Sequence, residues 1–386
     1  MRQAYKIIPV YTSDVSGVCS ALYELGGMVV MHDPSGCNST YNTHDEIRWY
    51  DMDSMIYISG LTEIDAIMGN DAKFIKDIEN MTLKLHPKFI ALVGSPIPFI
   101  NGTDFNAIAR ILEKDTGIPA FFVKTNGTHD YVMGAGEALR KIAERFVTEK
   151  NSIRAGSINI LGATPLDFGP MNNIDIMKSE LEKLGWSIIS TWAMGDSLED
   201  ILNSASAEVN LVVSSVGLPT AKYLNEKYGT PYVVGIPVSG YLKQINDALR
   251  SKTTIPYLDK RQRGNADIAI IGEPVTMESL AAAIEEEYKT PVRVVCPLET
   301  YDELLGDNDI KTCGEEEIEE VLKDYKIIIA DPLYRSICPS ECTFYELPHV
   351  AFSGRIYLKE MAANNLFTKK EFGAMMSKKN NGRYPQ

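Results

Sequence analysis

The sequence predicts an α/β protein built from three Rossmann-like, parallel-sheet units. Two observations point there: short continuous apolar runs alternate with amphipathic helical segments almost throughout, and the pattern restarts twice. A continuous apolar run suits a parallel strand covered by helices on both faces, because neither face meets water. Strand–helix–strand alternation then implies right-handed crossovers. The length of 386 residues exceeds what one core ordinarily holds.

The first unit, 1–150, takes the strands GGMVVM (26–31) and KFIALVG (88–94) and closes with the helix GEALRKIAERFVTEK (136–150). A polar link, NSIRAGS, follows. The second unit, 151–265, carries SINILG (157–162), NLVVSS (210–215) and YVVGIP (232–237) as strands. Between them, IMKSELEKLG sets Met177, Leu181 and Leu184 on one helical face, and Gly185 supplies the stop. The third unit, 266–386, has strands IAIIG (268–272), VRVVC (292–296) and YKIIIAD (325–331), with helices MESLAAAIEEEYK (277–289) and EEEIEEVLKDYK (315–326). Ligands in such folds sit beyond the carboxyl ends of strands, often between domains. The loops that matter are therefore 32–46, 94–104 and 332–349.

Composition removes several classes of function. A net charge of −14 argues against nucleic acid as a partner, and the one basic run, KRQRG (260–264), reads as a solvated loop. No apolar h-region opens the chain, and no run approaches the roughly 20 residues that span a bilayer, so neither secretion nor a membrane is expected. Six cysteines at 19, 37, 296, 313, 338 and 342 are too scattered for a disulfide framework, and they suit a cytoplasmic protein with free or metal-bound thiols. No G-x-x-x-x-G-K-[ST] is present, so no ATP is expected on this chain. G-x-S-x-G and H-E-x-x-H are also absent. The GAG at 134–136 lacks the rest of a dinucleotide fingerprint and reads as close helix packing.

The stretch HDPSGCNSTYNTHDE (32–46) holds the most chemistry, with Cys37 at a Pro/Gly turn after a strand and His44, Asp45 and Glu46 beyond it. On the residues alone, Cys37 is a nucleophile, a metal ligand or a small buried residue. Cys19 lies upstream, where a helical pattern begins and backbone amides favour a thiolate. Cys338 and Cys342 form C-P-S-E-C after the last strong strand, a looser spacing than that of zinc sites. Cys296 and Cys313 read as structural. His32, His44, His129 and His349 fall in or beside strand-end loops, where a proton donor or ligand is useful.

The HDPSGCNSTY segment resembles the H-G-P-x-G-C of the nitrogenase component 1 superfamily. That group takes in the nitrogenase subunits, the cofactor scaffold proteins, the dark-operative protochlorophyllide reductases and a related tetrapyrrole cyclase. The likeness continues in order through SGLTEIDAIMGNDAKF (59–74), GSPIPFINGTD (94–104), IPAFFVKTNGTHDYVMGAGEAL (118–139), INILGATPLDFGPMNN, AKYLNEKYGTPYVVGIPVSG and FYELPHVAFSGRIY. The resemblance implies three domains around a central cavity. It implies that Cys37 ligates a 4Fe–4S cluster at a subunit interface, with Cys19 as the second thiolate of each chain. Ser95 stands where the family has its third cysteine and Asp14 lies near the first, which makes both candidate oxygen ligands. His349, His44 and Glu46 become candidate catalytic residues. Cys338 and Cys342, beside the cavity, become candidate ligands of an additional metal or metallocofactor.

The implied partners are a second component-1-like chain, as homodimer or heterodimer, and a separate ATP-dependent iron–sulfur reductase. Pro348 takes the position of the nitrogenase histidine ligand and the central domain has no cysteine, so reduction of dinitrogen is not expected. The implied activity is reduction of another substrate held between domains. The alternatives are a non-catalytic scaffold for a metal cluster and a small-molecule binder that has lost its cluster.

Overall fold

The structure, a computed structural model, describes residues 5–34, 41, 45–149, 152–253 and 265–363. The basic run 260–264 lies outside them. Thirteen strands form three sheets among the described residues. The first sheet holds β1 (Met28–His32), β2 (Met55–Ile58), β3 (Ile90–Gly94) and β4 (Ala120–Val123) in the order β2-β1-β3-β4. The second holds β5 (Arg154–Leu161), β6 (Ser187–Trp192), β7 (Ala207–Val212) and β8 (Tyr232–Val234) in the order β6-β5-β7-β8. The third holds β9 (Ile268–Ile271), β10 (Val292–Cys296), β11 (Ile310–Lys311), β12 (Ile327–Ala330) and β13 (Thr343–Glu346) in the order β11-β10-β9-β12-β13. Every pairing within them is parallel.

The continuous apolar runs become the interior strands for the reason given by their composition. Every residue of β1 and of β3 is buried, so each strand is covered on both faces. The link NSIRAGS is not a spacer, because β5 already begins at Arg154 within it. Apolar residues of all three sheets' surroundings, among them Val18, Leu161, Val216, Val275, Cys296 and Val350, join in one buried cluster. The interior therefore runs without a break across the junction of the three sheets. Cys296 is part of it, as its structural reading expects, whereas Cys313 is exposed.

Two glycines set the distance between the helix Asp14–Leu22 and the helix Tyr131–Phe146. A Cβ at Gly134 would overlap the carbonyl oxygen of Asp14, and one at Gly17 would overlap that of Tyr131. The neighbouring Gly136 lets the same helix approach Pro219, whose Cγ would lie 3.3 Å from an added Cβ. The GAG motif is thus a packing device, joining the first unit to the helix Leu218–Tyr228 of the second. It also fixes Tyr131, the first residue of its helix, at the junction. Gly134→Ala is expected to destabilise the fold by about 3 kcal/mol or more, because its clash is with backbone that has no rotamer to yield. Chemical denaturation of the two proteins measures this, and a loss below about 1 kcal/mol would show that the helices can part cheaply.

Candidate functional site

Three buried acids follow the central strands of the second and third sheets. Asp167 lies in the short helix Pro165–Phe168 after β5, Glu273 caps the helix Pro274–Tyr288 after β9, and Asp331 follows β12 directly. These are the strand ends at which a parallel α/β fold opens its crevices. Asp167 Oδ1 accepts a hydrogen bond from Tyr131 OH and lies 3.1 Å from His349 Nε2. Asp331 Oδ2 accepts from the His349 backbone N–H at 2.8 Å and from Ser353 Oγ at 2.6 Å, which fixes the histidine's backbone. Glu273 Oε1 accepts from the Ser215 N–H at 2.8 Å and from its Oγ at 2.6 Å, and Oε2 accepts from the Thr276 N–H at 2.8 Å.

Asp167, Asn173, Glu273, Thr276 and His349 line one cavity of about 60 Å³ at this junction. Its size is far below the several hundred Å³ that a cofactor-sized ligand occupies. A tetrapyrrole or a large metallocluster does not fit it as it stands. Its chemistry is nevertheless unusual. Asn173 Oδ1, Thr276 Oγ1 and His349 Nδ1 are buried without a hydrogen-bond partner, although each lines the same small space. Such a group costs about 1–3 kcal/mol when left unmet, so three around one cavity indicate that something else meets them. A carboxylate can only accept, so the His349 ring carries a proton on Nε2 toward Asp167, and its Nδ1 faces the cavity without a partner. Burial, then the charge of Asp167, pushes the Glu273 carboxyl up to about 7, against the opposing hydrogen bonds of Ser215 and Thr276. A carboxyl with that value exchanges a proton near neutral pH.

A larger concavity of about 690 Å³ lies against the first sheet, lined in part by His32, Ser59, Asp65, Phe74 and Asp104. Several of its polar groups are partnered within the protein. His32 Nδ1 lies 2.9 Å from Ser59 Oγ, Asp65 pairs with Lys73 at 2.8 Å, and Asp104 accepts from the Ala107 N–H. His32 stacks on Phe74, and burial lowers its pKa to about 4. No unpartnered buried polar atom lines it among the described residues.

Of the described residues singled out in the sequence, His349 and its neighbour Pro348 reach the junction cavity. Cys37 and His44 lie outside the described residues. Cys19 is fully buried in the helix Asp14–Leu22, and burial, reinforced by the charges of Glu46 and Asp45, pushes its thiol far above its usual range. Asp14 accepts from the backbone N–H groups of Val15, Asn126 and Gly127, at 2.8 to 3.0 Å. Ser95 donates its hydroxyl to the His32 carbonyl at 3.1 Å. Both oxygens are thus engaged in holding loops. Glu46 is held by Arg48 at 2.7 and 2.8 Å and by Tyr41 OH at 3.2 Å, which makes it a buried ion-pair partner away from the cavity.

Cys338 and Cys342 do not face the cavity either. Cys342 packs with Ile337 and Phe344 and accepts from Arg335 Nη1 at 3.3 Å, and Cys338 donates to the Tyr334 carbonyl at 3.2 Å. Among the described residues no group of three or more His, Cys, Asp and Glu side chains forms a metal site. The sequence reading missed Asp167, Glu273 and Asn173. The first acid beyond each central strand was the signal available for the two carboxylates.

The sequence model of the family described as Nitrogenase component 1 type Oxidoreductase matches residues 16–250. The nitrogenase iron-molybdenum cofactor biosynthesis protein NifE of Clostridium pasteurianum is 25% identical over 212 residues, 53% of this chain and 45% of that protein. A light-independent protochlorophyllide reductase subunit of Prosthecochloris aestuarii is 34% identical over 113 residues, 27% of this chain and 21% of that one. The chain spans about half the length, or less, of these curated relatives. A solved structure described as Nitrogenase Cp1 at pH 5 superposes with a TM-score of 0.64 at 15% identity, covering 96% of this chain and 91% of that chain. At that identity the likeness is one of fold.

The raised Glu273 value has a consequence for stability. The folded carboxyl binds its proton more tightly than an unfolded one, so the fold is expected to lose stability as pH rises from 4.5 to about 7, with no further change from this group above that. Asp130, pushed up to about 6 by burial, acts in the same direction. Glu273→Gln should remove its own share of the fall and leave that of Asp130. Urea denaturation at about pH 5 and about pH 8 reads the difference, and an unchanged pH slope in the variant would refute the assignment.

Proposed function

The chain belongs to the nitrogenase component 1 type oxidoreductase family, and from that premise we propose that it is an oxidoreductase subunit which reduces a substrate bound at the junction of its three sheets. The observation that carries the proposal is the junction cavity, where a carboxylate–histidine pair leaves His349 Nδ1 without a partner. In this reading Asn173 and His349 orient the substrate, Asp167 holds the ring in the Nε2-protonated form, and Glu273 exchanges a proton near neutral pH. Burial excludes bulk water, which strengthens each of these contacts.

Electrons come from a separate ATP-dependent iron–sulfur reductase, and an interface 4Fe–4S cluster shared with a second component-1-like chain supplies the one-electron path. Cys37 and that second chain would have to furnish the thiolates, since Cys19 is enclosed. A contact surface is available beside the ends of β1 and β3. Ile64, Ile67, Met68, Phe99 and Ile100 are each at least 60% exposed on the two short helices Glu63–Met68 and Pro96–Asn101. Apolar groups exposed together in this way mark a partner-binding surface. The absence of a P-loop motif agrees with nucleotide hydrolysis on another chain.

A second reading, a scaffold that carries a metal cluster for delivery, is favoured by the similarity to a cofactor biosynthesis protein. The two part on turnover. A reductase reoxidises in a substrate-dependent way when reduced partner and ATP are supplied, whereas a carrier only hands over its metal. Iron and sulfide counts after anaerobic reconstitution test the shared premise. The wild-type chain is expected to retain both, Cys37→Ala to lose them, and Cys19→Ala to keep them while losing about 1–2 kcal/mol of stability. A wild-type chain without iron would overturn the electron-transfer reading.

A further inference from the structure

The lining of the junction cavity specifies more than its position. Its unmet atoms ask for donors. Asn173 Nδ2 donates to the Phe168 carbonyl at 2.8 Å, which orients the amide and leaves Oδ1 as the unfilled acceptor. His349 Nε2 faces Asp167, so in the neutral ring Nδ1 is a second unfilled acceptor. Thr276 Oγ1 can serve either way. All three residues are more than nine-tenths buried, at 7 or 8% exposure.

The charge around the cavity is one-sided. Two carboxylates, Asp167 and Glu273, line it, and among the described residues no lysine or arginine does. Among the described residues the donors that reach these carboxylates are hydroxyls, backbone N–H groups and the His349 ring. Buried anions without a full counter-charge are retained where a cation completes them. Burial, and after it the charge of Asp167, pushes Glu273 up to about 7. The volume of about 60 Å³ leaves room for roughly four water-sized groups, which bounds the ligand to a few non-hydrogen atoms.

We propose that the junction cavity takes a small ammonium- or amidinium-type cation, whose N–H groups fill Asn173 Oδ1 and His349 Nδ1 while Asp167 and Glu273 balance its charge. That this ligand is the substrate class of the enzyme rests on the reductase reading above; that it binds does not. A metal ion is the competing occupant. It would use the same lone pairs but needs no N–H donors.

Methylammonium is the probe, tested on the full chain by thermal shift and by isothermal titration calorimetry in the presence of a chelator. A saturable rise in Tm and a one-site isotherm are expected with methylammonium. Tetramethylammonium and potassium should give neither, the first because it has no N–H and is too large, the second because it has no N–H. Asn173→Leu and Thr276→Val should each weaken methylammonium binding about tenfold, the equivalent of one hydrogen bond. The pair guards against one variant failing to fold. Equal responses to all three cations, no saturable response, or saturable magnesium or ferrous-ion binding without chelator that displaces methylammonium would each overturn the proposal. A protein that binds methylammonium but holds no iron keeps the site and loses the reductase reading. One that holds iron but ignores methylammonium loses the site alone.

Discussion

One carboxylate holds the junction together. Asp167, carried by the second unit, accepts from Tyr131 of the first and from His349 of the third. A buried carboxylate is expensive unless its oxygens are met, and here donors from two other units meet it. The consequence is mutual: the anion is tolerable only while the three units stay closed, and closure fixes the tautomer and direction of the His349 ring. Asp331 adds a second constraint by holding the backbone of His349 and the hydroxyl of Ser353. Asp130 does the same between the first and third units, accepting from the Glu299 N–H. Acids placed after strands thus do the joining, while the apolar cluster that runs across the junction supplies the bulk of the burial.

The same arrangement creates chemistry. Burial, and after it the charge of Asp167, raises the cost of ionising Glu273, so Glu273 comes to hold a proton near neutral pH. Stability alone would favour filling this space with apolar side chains and pairing the remaining polar atoms. Retaining three unpartnered polar atoms beside two acids is a loss of stability that an occupant of the cavity recovers. The closed form of the junction is much smaller than a cofactor-sized site, so its occupant has to be small as well.

How much is legible in the sequence follows from burial. Interior strands such as VRVVC and KFIALVG are apolar on both faces, so periodicity finds them at once. Periodicity does not find β2, β4, β6, β11 and β13, and every one of them is a sheet edge. β2, β11 and β13 are partly exposed, and β2, β4 and β13 are only four residues long and β11 two, too short for periodicity to mark. For the site, the position of His349 in a strand-end loop is readable, and so is its proximity to a cavity once the family resemblance is in hand. Which way Cys19 and Glu46 point is not. Both sit in segments rich in chemistry, yet each turns into the core, Cys19 among apolar side chains and Glu46 onto Arg48. The Cys19 helix is buried at every position and Glu46 is drawn in by Arg48, and both are tertiary outcomes that local pattern does not carry. Asp167 and Glu273 escape notice because a lone acid after a strand looks like any helix cap.

The most direct measurement is an X-ray structure of the anaerobically isolated protein, with anomalous data collected at the iron edge. The account expects density in the junction cavity that bridges Asn173 Oδ1, Thr276 Oγ1 and His349 Nδ1, small enough to leave the three units closed, and no metal signal at that point. An empty, dry cavity would contradict it, and so would an anomalous peak on His349 Nδ1.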